Sequence, residues 1–414
     1  MFKYNPFKPG SIIHPGMFAG RMEELIILER SLFQTINGNP EHFLIHGERG
    51  IGKSSLLLVV NCLARGEIDP IEGNEKYKFL TINIELEPND DYREILQKIA
   101  RELQREINKS EAIKSALQGI WNFITNWEVL GVRYNRESTP VDAMLEELSE
   151  KFAAIASSLK EKGQGVFVFI DEADKAPAKA ELGEFIKVLT ERLAKRGSDN
   201  VGIGVVGISS VIKKLKESHE SAVRILKPIE LTPLLPEERK EVVQKGLGEA
   251  EEKNGITTSI TDRALNFISD LSEGYPYFIQ QYAYSAFEED TDNNIDVKDV
   301  AVGLTKENGA LQQLGMRHFE NMYTEEVRSD DYRTVLQVIA QHSPNYVQRK
   351  TIIEESELRK HTVDNALTAL KKRGSVIPKR GQKGQYKLPS RSFAVWINAY
   401  KITRHEMDQT EPNP

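Results

Sequence analysis

A glycine-rich segment is the feature that most limits how this chain can fold. Residues 47–54 read Gly-Glu-Arg-Gly-Ile-Gly-Lys-Ser, which matches the pattern G-x4-G-K-[ST]. Residues 42–46 before it are predicted to form a short strand, and residues 55–60 after it a buried helix. In such a strand–loop–helix unit, backbone N–H groups and the helix N-terminus surround anionic oxygens. The segment therefore predicts a phosphate-binding loop for a nucleotide.

The residue types in this loop have distinct chemical roles. Lys53 is expected to reach the β- and γ-phosphates of ATP, and the Ser54 hydroxyl to ligate Mg²⁺. ATP and Mg²⁺ are therefore the predicted cofactors. The residues expected to bind the nucleotide here are Gly47, Glu48, Arg49, Gly50, Ile51, Gly52, Lys53, Ser54 and Ser55.

A second apolar run supplies carboxylates for the same site. Residues 166–170 read Val-Phe-Val-Phe-Ile, which is typical of a central parallel strand covered on both faces. Asp171 and Glu172 follow at its C-terminal end, where open α/β sheets bind their ligands. Asp171 is expected to hold Mg²⁺, and Glu172 to orient and polarise the attacking water. The alternative is that both carboxylates lie in a solvated loop after a strand.

A third strand, predicted at residues 201–208, ends in two serines. A polar side chain at that position can sense the γ-phosphate and help to aim the water. Ser209 and Ser210 are both candidates for this role, and we take Ser210 as the catalytic candidate. The alternative is that both serines only cap the following helix.

Residues 18–25 read Phe-Ala-Gly-Arg-Met-Glu-Glu-Leu and resemble the segment that precedes the phosphate loop in STAND-type ATPases. They also resemble the equivalent segment of AAA+ proteins related to archaeal origin-recognition initiators. Met22 replaces the first Glu of that pattern, whereas Glu24 matches the second. The resemblance implies that this segment wraps the adenine and that Arg21 braces the site. The alternative is an ordinary helix start.

Two further residues gain a role through the same resemblance. Residues 274–276 read Gly-Tyr-Pro and resemble the GxP element of the helical lid, which implies that Pro276 lies near the nucleotide. Arg224 precedes the last predicted strand, where such ATPases often place an arginine finger that acts on a neighbouring subunit. That role implies a homo-oligomer in the ATP state, and the alternative is a surface arginine. Many AAA+ proteins have a sensor arginine within the stretch from Gly274 to Glu288, and this chain has none, which favours a slow ATPase or a switch.

The motifs divide the chain into an ATPase core and two further modules. The expected fold class is α/β: a P-loop core with three α/β/α layers around a parallel sheet, then an all-helical lid and a winged helix-turn-helix domain. The predicted boundaries are 1–16 for an extended lead-in, 17–235 for the core, 236–322 for the lid, 328–405 for the winged helix and 406–414 for a tail. An insertion at about 109–140 carries Trp121 and Trp127, which either bind a protein partner or cap the core.

The winged helix prediction rests on helices at residues 331–340, 349–355 and 362–374, followed by two strands around a Gly/Lys-rich tip. Residues 365–405 contain ten Lys or Arg and no Asp or Glu, which predicts contact with the phosphates of double-stranded DNA. The candidate DNA contacts are Lys360, His361, Thr362 and Asn365 on the third helix and Lys379, Arg380 and Lys383 on the wing. Alternatively, the module packs on the ATPase or docks a protein, and Asp364 in the third helix favours that interpretation.

The composition of the whole chain narrows the function classes. The net charge is −7, so any nucleic-acid site must be local. Cys62 is the only cysteine and no stretch has the length of a membrane span, so we expect a cytoplasmic protein with no membrane partner. Two hypotheses stay open. One is an ATP-dependent DNA-binding protein of initiator type, which the basic wing favours, and the other is a STAND-like signalling switch whose winged helix is a regulatory lever.

Overall fold

The computed structural model describes residues 3–125, 140–315, 329–379 and 381–410, together with Phe319, Tyr323 and Val327. For residues 112, 124, 125 and 401–410 only the backbone is described. The chain forms two compact units. We call Ile12–Thr232 the sheet unit, and Met1–Ser11 with Pro233–Pro414 the helical unit. Within the described ranges, no helix is long and apolar enough to cross a bilayer.

The sheet unit alternates strands and helices, as the sequence pattern predicts. Its helices and strands are α1 (Met22–Ile36), β1 (His42–Gly47), α2 (Lys53–Arg65), β2 (Phe79–Glu85), α3 (Tyr92–Lys109), α4 (Glu111–Ala116), α5 (Trp121–Thr125), α6 (Val141–Lys160), β3 (Gly165–Asp171), α7 (Leu182–Lys195), β4 (Val201–Gly207), α8 (Val211–Ser218), α9 (Ala222–Ile225) and β5 (Leu226–Leu231). Trp121 packs against the hydrophobic core. Trp127, the other tryptophan of the predicted insertion, lies outside the described residues.

The five strands form one parallel sheet in the order β2-β3-β4-β1-β5. β4 pairs with β1 on one side, through Leu44 and Val205, and with β3 on the other, through Val168 and Ile203. Because the carboxyl ends of parallel strands meet at one edge, the segments after β1, β4 and β3 are neighbours there. The topology therefore brings both nucleotide motifs and the Ser209–Ser210 pair to the same edge of the sheet.

Glycines in β4 allow large aromatic side chains to cover one face of the sheet. A Cβ on Gly202 would lie 2.1 Å from the ring of Phe167, and one on Gly204 would lie 2.5 Å from the ring of Phe43. The Phe167 and Phe169 rings stack with centroids 4.8 Å apart. On the opposite face, the aliphatic side chains of β2 and β3 are buried with those of α3, α6 and α7. The predicted α/β fold with a covered parallel sheet is confirmed.

The helical unit begins with the residues predicted as the lid. Its described helices and strands are α10 (Pro236–Asn254), β6 (Ser259–Ile260), α11 (Asp262–Ser272), α12 (Pro276–Glu289), β7 (Asn294–Ile295), α13 (Val297–Thr305), α14 (Ala310–Leu314), α15 (Asp330–Gln341), β8 (Val347–Gln348), α16 (Arg349–Ser356), α17 (Lys360–Arg373), β9 (Ile377–Pro378), β10 (Gln385–Lys387) and α18 (Arg391–Thr410). The lid is not all-helical, because β6 and β7 pair in parallel and satisfy backbone groups of two neighbouring loops.

The first residues of the chain pack against this unit. Phe7 is buried, and a Cβ on Gly246 of α10 would lie 2.3 Å from its ring. The Tyr4 hydroxyl donates to the Glu249 carboxylate at 2.5 Å. The close approach of Phe7 to α10 therefore requires glycine at position 246.

The last module contains α15, α16 and α17 with a small antiparallel sheet in the order β8-β10-β9. The two strands at the predicted wing are present, and β8 adds a third that is too short to show a period in the sequence. Gly374 ends α17 with φ +78°, a left-handed conformation that suits glycine. α18 continues to Thr410, past the predicted boundary at residue 405.

Candidate functional site

Glycines shape the phosphate-binding loop between β1 and α2. Gly50 and Gly52 have φ of +75° and +96°, in the left-handed region that favours glycine. A Cβ on Gly47 would lie 2.8 Å from the Leu231 carbonyl oxygen of the neighbouring β5. Of the other predicted contacts in the loop, Glu48 and Arg49 are exposed and Ile51 is buried.

Lys53 folds back over this loop. Its Nζ donates hydrogen bonds to the carbonyl oxygens of Gly47 at 3.0 Å and Glu48 at 2.7 Å. Burial lowers the pKa of Lys53, and the carboxylates of Asp174, Glu172 and Asp171 oppose that shift. The ammonium group therefore lies in the field of the carboxylates that follow β3, where phosphate oxygens would provide it with further counter-charge.

Ser54 and Asp171 meet across the edge of the sheet. The Ser54 hydroxyl donates to Asp171 Oδ2 at 3.2 Å, and the backbone N–H of Glu172 donates to Asp171 Oδ1 at 2.7 Å. Burial raises the pKa of Asp171, and both hydrogen bonds oppose that shift. A nearby divalent cation would favour the ionised carboxylate.

This oxygen pair fits Mg²⁺ bound together with a nucleotide. Neighbouring oxygens in an octahedral Mg²⁺ shell lie about 3 Å apart, which is close to the separation of the Ser54 and Asp171 oxygens. Among the described residues, no group of three or more His, Cys, Asp or Glu could hold a metal by itself. Mg²⁺ in nucleotide enzymes relies on one or two protein oxygens plus phosphates and water. Ser54 and Asp171 could supply the protein oxygens of such a site.

Glu172 leaves β3 in a left-handed conformation, with φ +52°. Its carboxylate lies 3.7 Å from Lys175 Nζ, which also lies 3.1 Å from the Glu85 carboxylate at the end of β2. Lys175 was not singled out in the sequence, because only the register of β2 with β3 brings Glu85 beside this turn. The ion pair neutralises part of the charge at the edge of the sheet.

Asp174 is a second residue that the sequence motifs did not reveal. Its buried carboxylate accepts a hydrogen bond at 2.8 Å from the backbone N–H of Ile208, which follows β4. Lys214 of α8 donates to the Asp174 carbonyl and, at 2.8 Å, to that of Ala176. Ser210 takes the N-cap position of α8, but its side chain makes no capping hydrogen bond. Its hydroxyl therefore does not perform the capping role that was the alternative to γ-phosphate sensing.

Arg21 braces the phosphate loop from within the protein. It is buried, and its guanidinium donates to the Ile51 carbonyl at 3.2 Å and to the Glu24 carboxylate at 3.1 Å. The Ser55 hydroxyl accepts a hydrogen bond from the Ile13 backbone N–H at 3.3 Å. Arg21 and Ser55 thus link the residues that precede α1 to the phosphate loop and to α2. A direct contact of either with nucleotide stays a prediction.

Comparisons with known proteins agree with this geometry. The family model described as "AAA ATPase domain" matches residues 17–196. These 180 residues are therefore similar to an AAA ATPase domain. The match contains the phosphate loop and the two carboxylates after β3, and it confirms the resemblance to AAA+ P-loop ATPases. The comparison with curated proteins found no match.

Two solved structures are similar in fold to nearly the whole chain. The Walker-type ATPase PABY2304 of Pyrococcus abyssi has 17% identity and a TM-score of 0.53, covering 92% of this chain and 96% of its own. The Aeropyrum pernix ORC2 protein, in ADPNP and ADP complexes, has 14% identity and a TM-score of 0.54, covering 97% and 99%. A STAND protein with a tetratricopeptide repeat sensor from Pyrococcus horikoshii has 14% identity and a TM-score of 0.37, covering 99% and 47%. At these identities the first two likenesses concern the fold alone.

Two further predicted site residues belong to helices other than the one that follows the phosphate loop. Arg224 is exposed on α9, and its guanidinium makes no hydrogen bond or ion pair with the part of the chain that the structure describes. That exposure suits either a surface arginine or one that acts on a neighbouring subunit. Pro276 is the first residue of α12 in the helical unit. Its proximity to nucleotide stays a prediction.

The candidate DNA contacts lie in the module that follows the lid. Lys360, His361 and Asn365 are exposed on α17, and Thr362 is half-buried. His361, Asn365, Thr368 and Lys372 follow helical spacing on one exposed face. On the predicted wing, Lys383 is exposed, and Lys379 Nζ lies 5.5 Å from the centre of the Tyr346 ring. Arg380 lies outside the described residues.

Asp364, the acidic residue of α17, is paired. Arg349 at the start of α16 donates to its two carboxylate oxygens at 2.5 and 2.7 Å. The Arg349 hydrogen bonds hold the pKa of Asp364 below its usual range. The Arg349 guanidinium offsets the negative charge of Asp364, and the pair fixes α16 against α17.

Proposed function

We propose that this chain binds ATP with Mg²⁺, hydrolyses it slowly and uses the nucleotide state to control binding to double-stranded DNA. The observation that supports the nucleotide part most directly is the 3.2 Å contact between the Ser54 hydroxyl and the Asp171 carboxylate. These residues are 117 positions apart in sequence, and they belong to two separate nucleotide motifs. Such a contact is what a shared Mg²⁺ requires.

In the proposed reaction, a water oxygen bonds to the γ-phosphorus as the bond to the β–γ bridging oxygen breaks, giving ADP and phosphate. Glu172 accepts the proton of the attacking water, and Lys53 holds the β- and γ-phosphates. Ser54 and Asp171 hold Mg²⁺, which supplies charge neutralisation at the phosphates when bound. Ser210 hydrogen-bonds the γ-phosphate. Arg224 acts on the nucleotide of a neighbouring subunit in the ATP-state oligomer.

Steady-state ATP turnover of the full chain with Mg²⁺ tests the nucleotide part. Lys53→Ala should lower turnover by roughly 100-fold or more, because it removes the charge that stabilises the γ-phosphoryl group. Lys213→Ala is the matched control, since Lys213 is an exposed lysine of α8 whose ion pair with Glu217 lies within one helix. Equal turnover in wild type and Lys53→Ala would contradict the proposal.

The DNA part rests on the exposed face of α17. We infer that α15, α16, α17 and the β8-β10-β9 sheet act as a winged helix, with α17 in the major groove. His361 and Asn365 would meet base edges, while Lys379 and Lys383 would contact phosphates. The pairing of Asp364 with Arg349 supports this reading, because it leaves no unpaired carboxylate on that face of α17.

A STAND-like signalling switch is the second candidate function. It is favoured by the sequence between Gly274 and Glu288, which lacks the arginine that many AAA+ lids carry. In that case the winged helix is a regulatory or protein-docking module. Light scattering in ATP and in ADP separates the two candidates when it is combined with a DNA titration, because the switch would change its oligomeric state without binding a duplex.

A further inference from the structure

A half-buried carboxylate, that of Glu273, joins the lid to the first residue of the last helix. Glu273 Oε2 accepts a hydrogen bond at 2.5 Å from the backbone N–H of Arg391, where α18 begins. The first N–H groups of a helix have no partner within it, and a negative charge there also complements the helix dipole. Glu273 therefore caps a 20-residue helix from outside that helix.

The next residue of α18 is anchored to the same part of the lid. The buried Ser392 hydroxyl donates to the Leu271 carbonyl at 3.0 Å and accepts a hydrogen bond from the Tyr282 hydroxyl at 2.5 Å. Leu271 lies in α11 and Tyr282 in α12. The start of α18 is thus fixed to both lid helices that flank Glu273.

Gly274 directly follows Glu273 and packs against Leu234. Its carbonyl accepts a hydrogen bond from the Leu234 N–H at 2.9 Å, and a Cβ on it would lie 2.5 Å from the Leu234 carbonyl oxygen. Arg239 Nε donates to that same Leu234 carbonyl at 2.7 Å. Leu234 is two residues beyond Thr232, the last residue of the sheet unit. The consecutive residues Glu273 and Gly274 therefore contact the start of α18 and the segment that leads into α10.

The other side of this contact leads to the proposed wing. β10 ends at Lys387, and only Leu388, Pro389 and Ser390 separate it from α18. Lys387 and Arg391 on the wing side and Arg239 on the lid side all attract the Glu273 carboxylate. Because only three residues separate β10 from α18, a displacement of β10 would strain the hydrogen bond between the Arg391 N–H and Glu273.

We propose that Glu273 couples DNA contact at the wing to the nucleotide state of the AAA domain. The inference rests on the proposed function, since it requires both ligands. The proposed switch has two states, in which the hydrogen bond from the Arg391 N–H to Glu273 is either formed or broken. Phosphate contacts by the wing and nucleotide at the AAA domain each favour one of these states, through β10 and Leu234 respectively. Coupling of this kind is reciprocal for the two binding free energies.

The test measures duplex affinity of the full chain with Mg²⁺–ADP and with a non-hydrolysable ATP analogue. Wild type should show a ratio of roughly fivefold or more between the two nucleotides. Glu273→Ala should reduce the ratio to near one while ATP turnover without DNA stays at the wild-type value. Glu273→Gln should retain most of the ratio, because its amide oxygen still accepts the Arg391 N–H. Asp296→Ala is the control, since Asp296 caps α13 in the same unit by the same type of hydrogen bond.

A second pair of variants changes the donor instead of the acceptor. Arg391→Pro deletes the N–H at a helix position that tolerates proline, whereas Arg391→Ala keeps it. We expect the ratio to be lost in the first and kept in the second. A wild-type ratio in folded Glu273→Ala or in Arg391→Pro would overturn the inference, as would a ratio of one in wild type that binds duplex. Absence of duplex binding by wild type would instead refute the proposed function.

Discussion

The Asp174 carboxylate accepts a hydrogen bond of 2.8 Å from the backbone N–H of Ile208. Asp174 lies in the turn after β3 and Ile208 directly after β4, so the bond fixes two neighbouring segments at the ligand edge of the sheet. On one side of it is Glu172, the proposed water-polarising residue, and on the other is Ser210. The relative position of these two groups therefore depends on Asp174, which is itself buried.

Replacing this carboxylate should slow hydrolysis without weakening ATP binding. For Asp174→Ala we expect a kcat about 10- to 100-fold below wild type, because catalytic groups displaced by a fraction of an ångström lose much of their effect. KM should change little, since the phosphate loop is untouched. Asp174→Asn keeps an oxygen that accepts the Ile208 N–H and should retain most of the activity. An unchanged kcat in Asp174→Ala, measured by phosphate release, would refute this positioning role.

Glu172→Gln should bind ATP but hydrolyse it roughly 100-fold more slowly, since an amide cannot accept the proton of the attacking water. Equilibrium binding of a fluorescent ATP analogue and single-turnover hydrolysis measure the two effects separately. Glu85→Gln is the control, because Glu85 lies at the end of the neighbouring strand and shares Lys175 with Glu172. Unchanged turnover in Glu172→Gln would remove the role assigned to it.

Asp171→Asn should stabilise the metal-free protein at neutral pH. Burial raises the pKa of Asp171 in the folded state, so the stability linked to this group is lost as pH rises through that pKa. A neutral side chain avoids the loss, so the variant should melt above wild type at pH 7, with the difference shrinking as pH is lowered. Mg²⁺–ATP should then raise the melting temperature of wild type more than that of the variant. A metal-free variant that melts below wild type would contradict this account of Asp171.

Reversing two wing charges should weaken binding to DNA duplexes of any sequence and reduce the salt dependence of the affinity. Each phosphate contact contributes about 0.9 to the slope of log affinity against log salt. The double variant Lys379→Glu and Lys383→Glu should therefore lose about two units of slope. Lys213→Glu, a reversal on α8, serves as the control. An unchanged slope, measured by titration at several salt concentrations, would show that the wing does not contact phosphates.

The sequence predicted the parts of the site that lie next to a strong local pattern. The glycines and Lys53 form one continuous motif, and Asp171 follows an apolar run whose length and composition indicate a buried strand. The predicted strands agree with the observed ones because parallel strands that are buried on both faces are apolar throughout. The apolar pattern indicates the last strand only from Ile229 onward, whereas β5 begins at Leu226, because Lys227 and Pro228 interrupt that pattern.

The contacts that the sequence did not predict join residues that are distant along the chain. Asp174 and Ile208 meet only because β3 and β4 are neighbours in the sheet. Glu273 and Arg391 are 118 residues apart, and no periodicity connects them. Phe7 lies in a proline-rich segment whose packing depends on a glycine in a helix 239 positions later, counted from 7 to 246. Such pairs follow from topology, which single-sequence patterns do not contain.

Binding of a labelled generic DNA duplex, followed by fluorescence anisotropy in ATP and then in ADP, tests the central claim most directly. Glu172→Gln is used for the ATP titration so that the nucleotide persists. The account predicts binding at moderate salt, with affinities in the two nucleotides that differ by roughly fivefold or more. No binding in either nucleotide, even at low salt, would contradict it and would favour the signalling switch.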